Sequence, residues 1–168
     1  MNYDQLTTEK RNDETLKLDV MPISDILQIM NKEDMQVVKS VEQVLPTIEK
    51  VIKRVVENIS NGGRLFYIGA GTSGRLGMLD ASECPPTFMT DPELVQTVMA
   101  GGKEAFFQAV ENAEDRLEDG INKLKEKNLT KFDSVIGITA SGTTPFVMGA
   151  LQYAQSVEAF TVSLTSNI

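Results

Sequence analysis

Leu65-Phe66-Tyr67-Ile68, followed at once by Gly69-Ala70-Gly71-Thr72-Ser73-Gly74-Arg75, reads as a strand running into a helix through a glycine-rich turn. Four apolar residues bounded by glycines suit a short buried strand. Glycines let a backbone approach a ligand, and a helix start points unpaired N–H groups at it. The same grammar returns downstream. Ser134–Ile138 is a second clear strand and leads through Thr139-Ala140-Ser141-Gly142-Thr143-Thr144 into a helix from Pro145 to about Ser156. Phe160–Leu164 is a third clear strand, and a weaker one lies near 94–99. Helical patterns occupy 103–113 and 115–127. Strands alternating with helices, without tight hairpin signals, predict an α/β fold: a parallel sheet in a three-layer α-β-α arrangement.

Upstream of the first strand the chain changes character. Residues 1–20 are polar and aperiodic and read as an arm. In the apolar group 21–30, Ser24 is a candidate N-cap of a short helix, and Asn31 a candidate cap of the next one. Val38, Val41, Leu45, Ile48, Ile52, Val55 and Ile59 then follow at alternating steps of 3 and 4, a helical stripe widened by Val37, Val44, Val51 and Val56. Pro46 inside it predicts a kink or a split. Asn61-Gly62-Gly63 ends the helix. Residues 21–61 therefore form a helical segment, whose broad apolar face packs on its own domain or on a second subunit. Residues 62–168 form the α/β domain. Because the sequence stops a few residues past a strand, that domain is expected to be incomplete at its C-terminus, as in a piece of a longer protein.

Composition narrows the chemistry. The chain has 168 residues, 41% hydrophobic and 24% charged, as expected of a globular protein. The net charge of −8 disfavours nucleic-acid phosphates as partners. The polar N-terminus is no signal peptide and no apolar run is long enough to span a membrane, so the cytoplasm is the expected compartment. The lone Cys84 fits a reducing compartment. There is no histidine. That removes the commonest general base, the Ser-His-Asp triad and the usual transition-metal ligand, and leaves acid–base work to Asp, Glu, Lys or Tyr. No metal or cofactor is expected.

The glycine run formally reads G-x-G-x-x-G, but the next strand ends in Ala100-Gly101-Gly102 and offers no carboxylate for a ribose. No Gly-Lys-Ser/Thr follows, so it is not a P-loop. Thr72 and Ser73 sit between its glycines, and Ser141, Thr143 and Thr144 surround Gly142. In a parallel sheet both loops face one crevice, where two hydroxyl clusters suit a small phosphorylated ligand. In Asp80-Ala81-Ser82-Glu83-Cys84-Pro85-Pro86, Glu83 stands at an expected helix end, just before a Pro-Pro stop, where the helix dipole disfavours it. The plain reading is an exposed glutamate, and the local conflict hints at function. Cys84 reads as a small buried residue rather than a nucleophile. In Glu111-Asn112-Ala113-Glu114-Asp115, solvated surface or a helix cap is the plain reading, and spacing alone does not single out Glu114.

The run from Gly69 through Pro85-Pro86-Thr87-Phe88 closely resembles the signature of the N-acetylmuramic acid 6-phosphate etherases, which have the sugar-isomerase (SIS) fold, a flavodoxin-like sheet. The resemblance extends to Thr8-Glu9-Lys10-Arg11-Asn12, 31–34, Ala100-Gly101-Gly102, Ala113-Glu114-Asp115 and the second hydroxyl loop, nearly the whole chain. It implies a lyase that cleaves the C3 lactyl ether of N-acetylmuramic acid 6-phosphate, giving D-lactate and N-acetylglucosamine 6-phosphate in peptidoglycan recycling. It implies Glu83 as the acid on the ether oxygen and Glu114 as the base at C2. The sugar phosphate is expected against Gly71, Thr72, Ser73, Gly74, Ser141, Gly142, Thr143 and Thr144. A homodimer is implied as well, with sites that draw on the partner. Two glutamates in different protonation states suffice for this elimination. Two departures stand out: family members often carry Arg where Thr143 stands, and the family chain continues further. Two other readings of the same fold remain. One is a non-enzymatic sugar-phosphate sensor, which needs the hydroxyl loops but not both glutamates. The other is an aldose–ketose isomerase, which needs a base at C2 but no acid at C3.

Overall fold

The computed structural model describes residues 6–167. Residues 1–5 of the expected arm and Ile168 lie outside them. The chain divides into two compact units, Met1–Ile52 and Lys53–Ile168.

In the first unit, single 3-10 turns at Thr7–Glu9, Asp13–Thr15 and Leu18–Val20 precede a long helix, α1 (Ile23–Ser60), which runs on into the second unit. The Asn12 side chain caps the second turn by accepting from the Glu14 N–H. Two expectations fail here. Asn31 starts no new helix, because α1 is already under way: the Pro22 carbonyl accepts from the N–H groups of Asp25 and Ile26. Ser24 is not the cap either; it lies inside the first turn and donates to the Asp25 carboxylate. Pro46 does not split α1, which continues through it from Ile23 to Ser60. The stripe side chains of this unit, among them Val38, Val41, Leu45 and Ile52, are exposed.

The second unit is built on four parallel strands: β1 (Leu65–Gly69), β2 (Val95–Met99), β3 (Ser134–Ile138) and β4 (Phe160–Leu164), in the order β2-β1-β3-β4. Helices α2 (Gly71–Phe88), α3 (Leu117–Glu126) and α4 (Pro145–Ser156) connect them. Strand alternation sorts the core onto two faces. Phe66, Ile68, Val98 and Val135 pack with Leu124 of α3 and Phe146, Val147 and Ala150 of α4. Leu65, Val95, Tyr67 and Ile136 pack with Ala81 and Cys84 of α2 and with Val55. Phe66, Ile68, Leu124 and Phe146 are all but fully buried, each worth roughly 2 kcal/mol of transfer free energy. The α-β-α arrangement is as the sequence predicts.

Helices α3 and α4 cross closely because each offers a glycine at the contact. A Cβ on Gly120 would stand 2.0 Å from the Phe146 carbonyl oxygen, and one on Gly149 would stand 2.2 Å from that of Leu117. At the N-terminal edge of the sheet, buried Asp133 accepts from the backbone N–H, Nε and terminal guanidinium nitrogen of Arg64 and from the N–H and hydroxyl of Thr130. Asn58 of α1 donates to the Ser134 hydroxyl at 2.9 Å, tying the helix end to β3.

The helix expected over 103–113 is absent. Only the turn Glu104–Phe106 forms, between Gly101 and Gly102 at φ +80° and +70° and Asn112 at +59°. The Arg75 side chain also takes carbonyls of this stretch as acceptors. The Pro85-Pro86 pair does not stop α2 either. It lies within the last turn, and the helix ends at Met89 in the left-handed region, its N–H returning to the Pro85 carbonyl.

Candidate functional site

Parallel strands send all their C-terminal loops to one edge. The register aligns Gly69 with Met99 and with Ile138, so the loops after β1, β2 and β3 leave side by side. The chain departs from β1 toward β2 and from β3 toward β4, so the strand order diverges between β1 and β3. Ligands of open α/β sheets sit at such a divergence.

After β1, the expected loop is shorter than the sequence suggested. Helix α2 begins at Gly71, so Thr72, Ser73 and Gly74 form its first turn. Gly71 has φ +53° and nothing within 4 Å of its Cβ position, a conformation glycine adopts freely. No side chain caps this helix and no acid lies in its first turn. Its leading N–H groups and dipole are therefore left for an anion. Thr72 is exposed and Ser73 half-buried. Gly74 is buried; a Cβ there would stand 2.9 Å from the Gly69 carbonyl oxygen, so it lets the helix close onto β1.

After β3, the hydroxyls pair among themselves. Thr139 and Thr144 share a hydrogen bond of 2.8 Å, and Ser141 and Thr143 one of 2.9 Å. The Gly142 N–H donates to the Thr139 hydroxyl and the Thr143 N–H to that of Ser141. Thr165 and Asn167, beyond β4, donate to the Ala140 carbonyl and steady the loop from outside.

Glu114 is pinned to this edge by its main chain, its carbonyl accepting the Phe146 N–H at 2.9 Å in the first turn of α4. The residue is exposed and lines a cleft of about 180 Å³ together with Gly71, Arg75, Gln108 and Glu111. The fold thus brings Glu114 and the start of α2 into one cleft. Glu83 is not among the lining residues. It is exposed on α2, twelve residues beyond Gly71, about 18 Å along the helix axis.

Nearby, Tyr67 of β1 donates to the Asp80 carboxylate of α2 at 2.8 Å. Burial, and then Asp80, pushes the Tyr67 phenol well above its ordinary value. Burial, again followed by Asp80, pushes up the Cys84 thiol. Both groups stay neutral near pH 7, so neither is an activated nucleophile or base. Sequence reasoning gave Arg75 no role. The available signal was a single cation closing a run of glycines and hydroxyls.

Comparison with known proteins gives a consistent picture. The family model described as the glucokinase regulatory protein N-terminal SIS domain matches residues 47–155. An N-acetylmuramic acid 6-phosphate etherase of Clostridium beijerinckii is 53% identical over 167 residues, covering 99% of this chain and 55% of that protein. One of Bacillus cereus is 54% identical over 164 residues, covering 98% and 56%. A phosphoheptose isomerase structure from Francisella tularensis superposes with a TM-score of 0.70 at 23% identity, over 86% of this chain and 76% of that one. Its counterpart from Neisseria gonorrhoeae gives 0.64 at 14%, over 86% and 75%. At those identities the two structures speak for the fold alone. The chain spans about half the length of the curated relatives it matches.

Proposed function

The chain belongs to the SIS-domain family, and on that footing we propose that it carries the catalytic core of an N-acetylmuramic acid 6-phosphate etherase. The observation that carries this reading is the shared cleft, which Glu114 lines together with the uncapped start of α2 at the C-terminal edge of the sheet. That pairs a carboxylate with a phosphate-binding helix end. The similarity to etherases over 98–99% of the chain supports the same substrate.

In the proposed reaction the substrate is the open-chain aldehyde, whose C2 proton is acidified by the carbonyl. The Glu114 carboxylate takes that proton. The electron pair rests first on the C1 oxygen as an enolate, then forms the C2–C3 double bond as the C3–O bond breaks, and Glu83 delivers a proton to the departing lactate oxygen. Water then adds at C3 and a proton returns to C2, giving N-acetylglucosamine 6-phosphate and D-lactate. The phosphate is held by the N–H groups of the first turn of α2 with Thr72 and Ser73, and by Ser141, Thr143 and Thr144 around Gly142.

The spacing of the two glutamates supports a homodimer in which Glu83 serves the partner's site. Leu76, Leu79, Glu83 and Pro86 follow one another at steps of 3, 4 and 3, placing Glu83 within an exposed apolar stripe. A partner covering that stripe takes Glu83 out of water, the setting in which a carboxyl holds a proton for delivery. The cytoplasm is the proposed compartment; the single cysteine supports it, and no helix among the described residues is long and apolar enough to cross a membrane.

Proton NMR of N-acetylmuramic acid 6-phosphate with the protein in deuterated water tests the reading. Lactate release with deuterium at C2 is expected. Glu83→Gln should abolish lactate while C2 exchange persists, and Glu114→Gln should abolish both while sugar phosphate still binds. A ketose product without lactate would replace the etherase by an isomerase. Binding with neither lactate nor exchange would leave a sensor.

A further inference from the structure

Arg75 carries the only charge in the glycine-rich stretch 69–75, and its guanidinium turns onto the wall of the cleft. Nε donates to the Phe106 carbonyl at 3.2 Å, and one terminal nitrogen donates to those of Ala105 at 2.9 Å and Gln108 at 3.3 Å. One cation thus gathers three acceptors from four consecutive residues. These residues lie in the segment between β2 and α3, which holds only a single 3-10 turn. The segment folds back on itself at Gly101, where a Cβ would stand 2.9 Å from the Val110 Cβ and 3.1 Å from that of Ala105. It leads to Glu114, whose carbonyl is fixed to α4 through Phe146. Two anchors therefore hold the cleft wall: Arg75 to α2 on one side, Phe146 to α4 on the other. Charge-assisted bonds to carbonyls are stronger than neutral ones, and here they take up three carbonyls beyond the short ladder in which the N–H groups of 105–108 bond back to Gly102, Lys103 and Glu104.

We propose that Arg75 is a positioning residue for this cleft. It clamps residues 105–108 to α2 and so fixes the segment that delivers the Glu114 carboxylate opposite the start of that helix. The guanidinium acts through the main chain and does not itself hold the sugar phosphate. The activity arm of the test rests on the proposed etherase reaction; the exchange arm does not.

Arg75→Ala and Arg75→Lys test it by two readouts. Amide hydrogen exchange over 104–110 should accelerate at least tenfold in Arg75→Ala, with β1 and β3 unchanged; a lysine, with its single nitrogen, should restore only part of the protection. In lactate release, kcat should fall roughly tenfold to a hundredfold while KM stays within about threefold. Added guanidinium should recover part of the rate in Arg75→Ala. Unchanged exchange in Arg75→Ala would overturn the clamp. A KM rise with kcat preserved would make Arg75 a ligand of the substrate anion instead. If the unaltered protein releases no lactate, the etherase reading fails, and the exchange comparison still decides the role of Arg75.

Discussion

Asp133 shows how much a single side chain can hold together. It is 1% exposed and accepts five hydrogen bonds at the sheet edge opposite the cleft, where β1 and β3 begin. Burial pushes its carboxyl up, but the bonds from Arg64 and Thr130 outweigh that and hold it below the ordinary value of 3.8. A carboxyl depressed by folding adds stability above its unfolded value and loses it as the pH falls through its folded value. Asp133→Asn should therefore cost about 2–4 kcal/mol in urea unfolding at neutral pH. The gap to the unaltered protein should close at pH values well below 3.8. A gap independent of pH would mean that shape, not charge, matters there. At the other edge, Ser73→Ala and Ser141→Ala should each weaken sugar 6-phosphate binding by about threefold to tenfold in calorimetry, with less effect on the unphosphorylated sugar. Equal loss for both ligands would remove that hydroxyl from the phosphate site.

Between elements, the α3–α4 crossing makes the sharpest demand. Gly149→Ala should destabilise by about 1–3 kcal/mol or more, read as a lowered thermal midpoint with activity retained below it. Gly120→Ala should do the same, and the double variant should fall short of additivity because the two contacts share one interface. Such glycines also mark what a sequence hides. All four strands were legible, β2 only weakly: β1 is an apolar run closed by a glycine, while β3 and the partly exposed β4 stand out by alternating with helical stretches. The start of helix α4 was legible to the residue, since Pro145 fixes it. The segment 103–113 was not. Its apolar spacing suits a helix, but the side chain that redirects its carbonyls, Arg75, lies some thirty residues away. The Pro85-Pro86 pair misled for a local reason: its lost N–H groups fall at the very end of α2, where one left-handed residue closes the helix. The two hydroxyl loops could be placed at one edge from the alternation of strands and helices alone, whereas Glu114 was singled out only by the family resemblance. The separation of Glu83 from them needed the true length of α2.

For the whole molecule, charge and apolar surface pull in opposite directions. Copies that each carry a net charge of −8 repel one another, while exposed Leu76, Leu79 and the α1 stripe favour association. Sedimentation should show a dimer that is strengthened, not dissolved, by moderate salt. Leu79→Lys should shift it toward monomer and lower lactate release in parallel. Val41→Lys tests α1 in the same way. A variant that stays dimeric with full activity would exclude its stripe from the contact.

Cys84 follows Glu83 directly in sequence, yet it packs inward with Leu65 and Val95 while its neighbour stands in water. Since it is the chain's sole sulfhydryl and only partly buried, a colourimetric disulfide reagent would have one target, on the face of α2 that meets the sheet. Its labelling half-time would then report how freely that face of the helix is reached, read in an ordinary spectrophotometer. Slower labelling as copies of the chain associate would place their contact on that same helix.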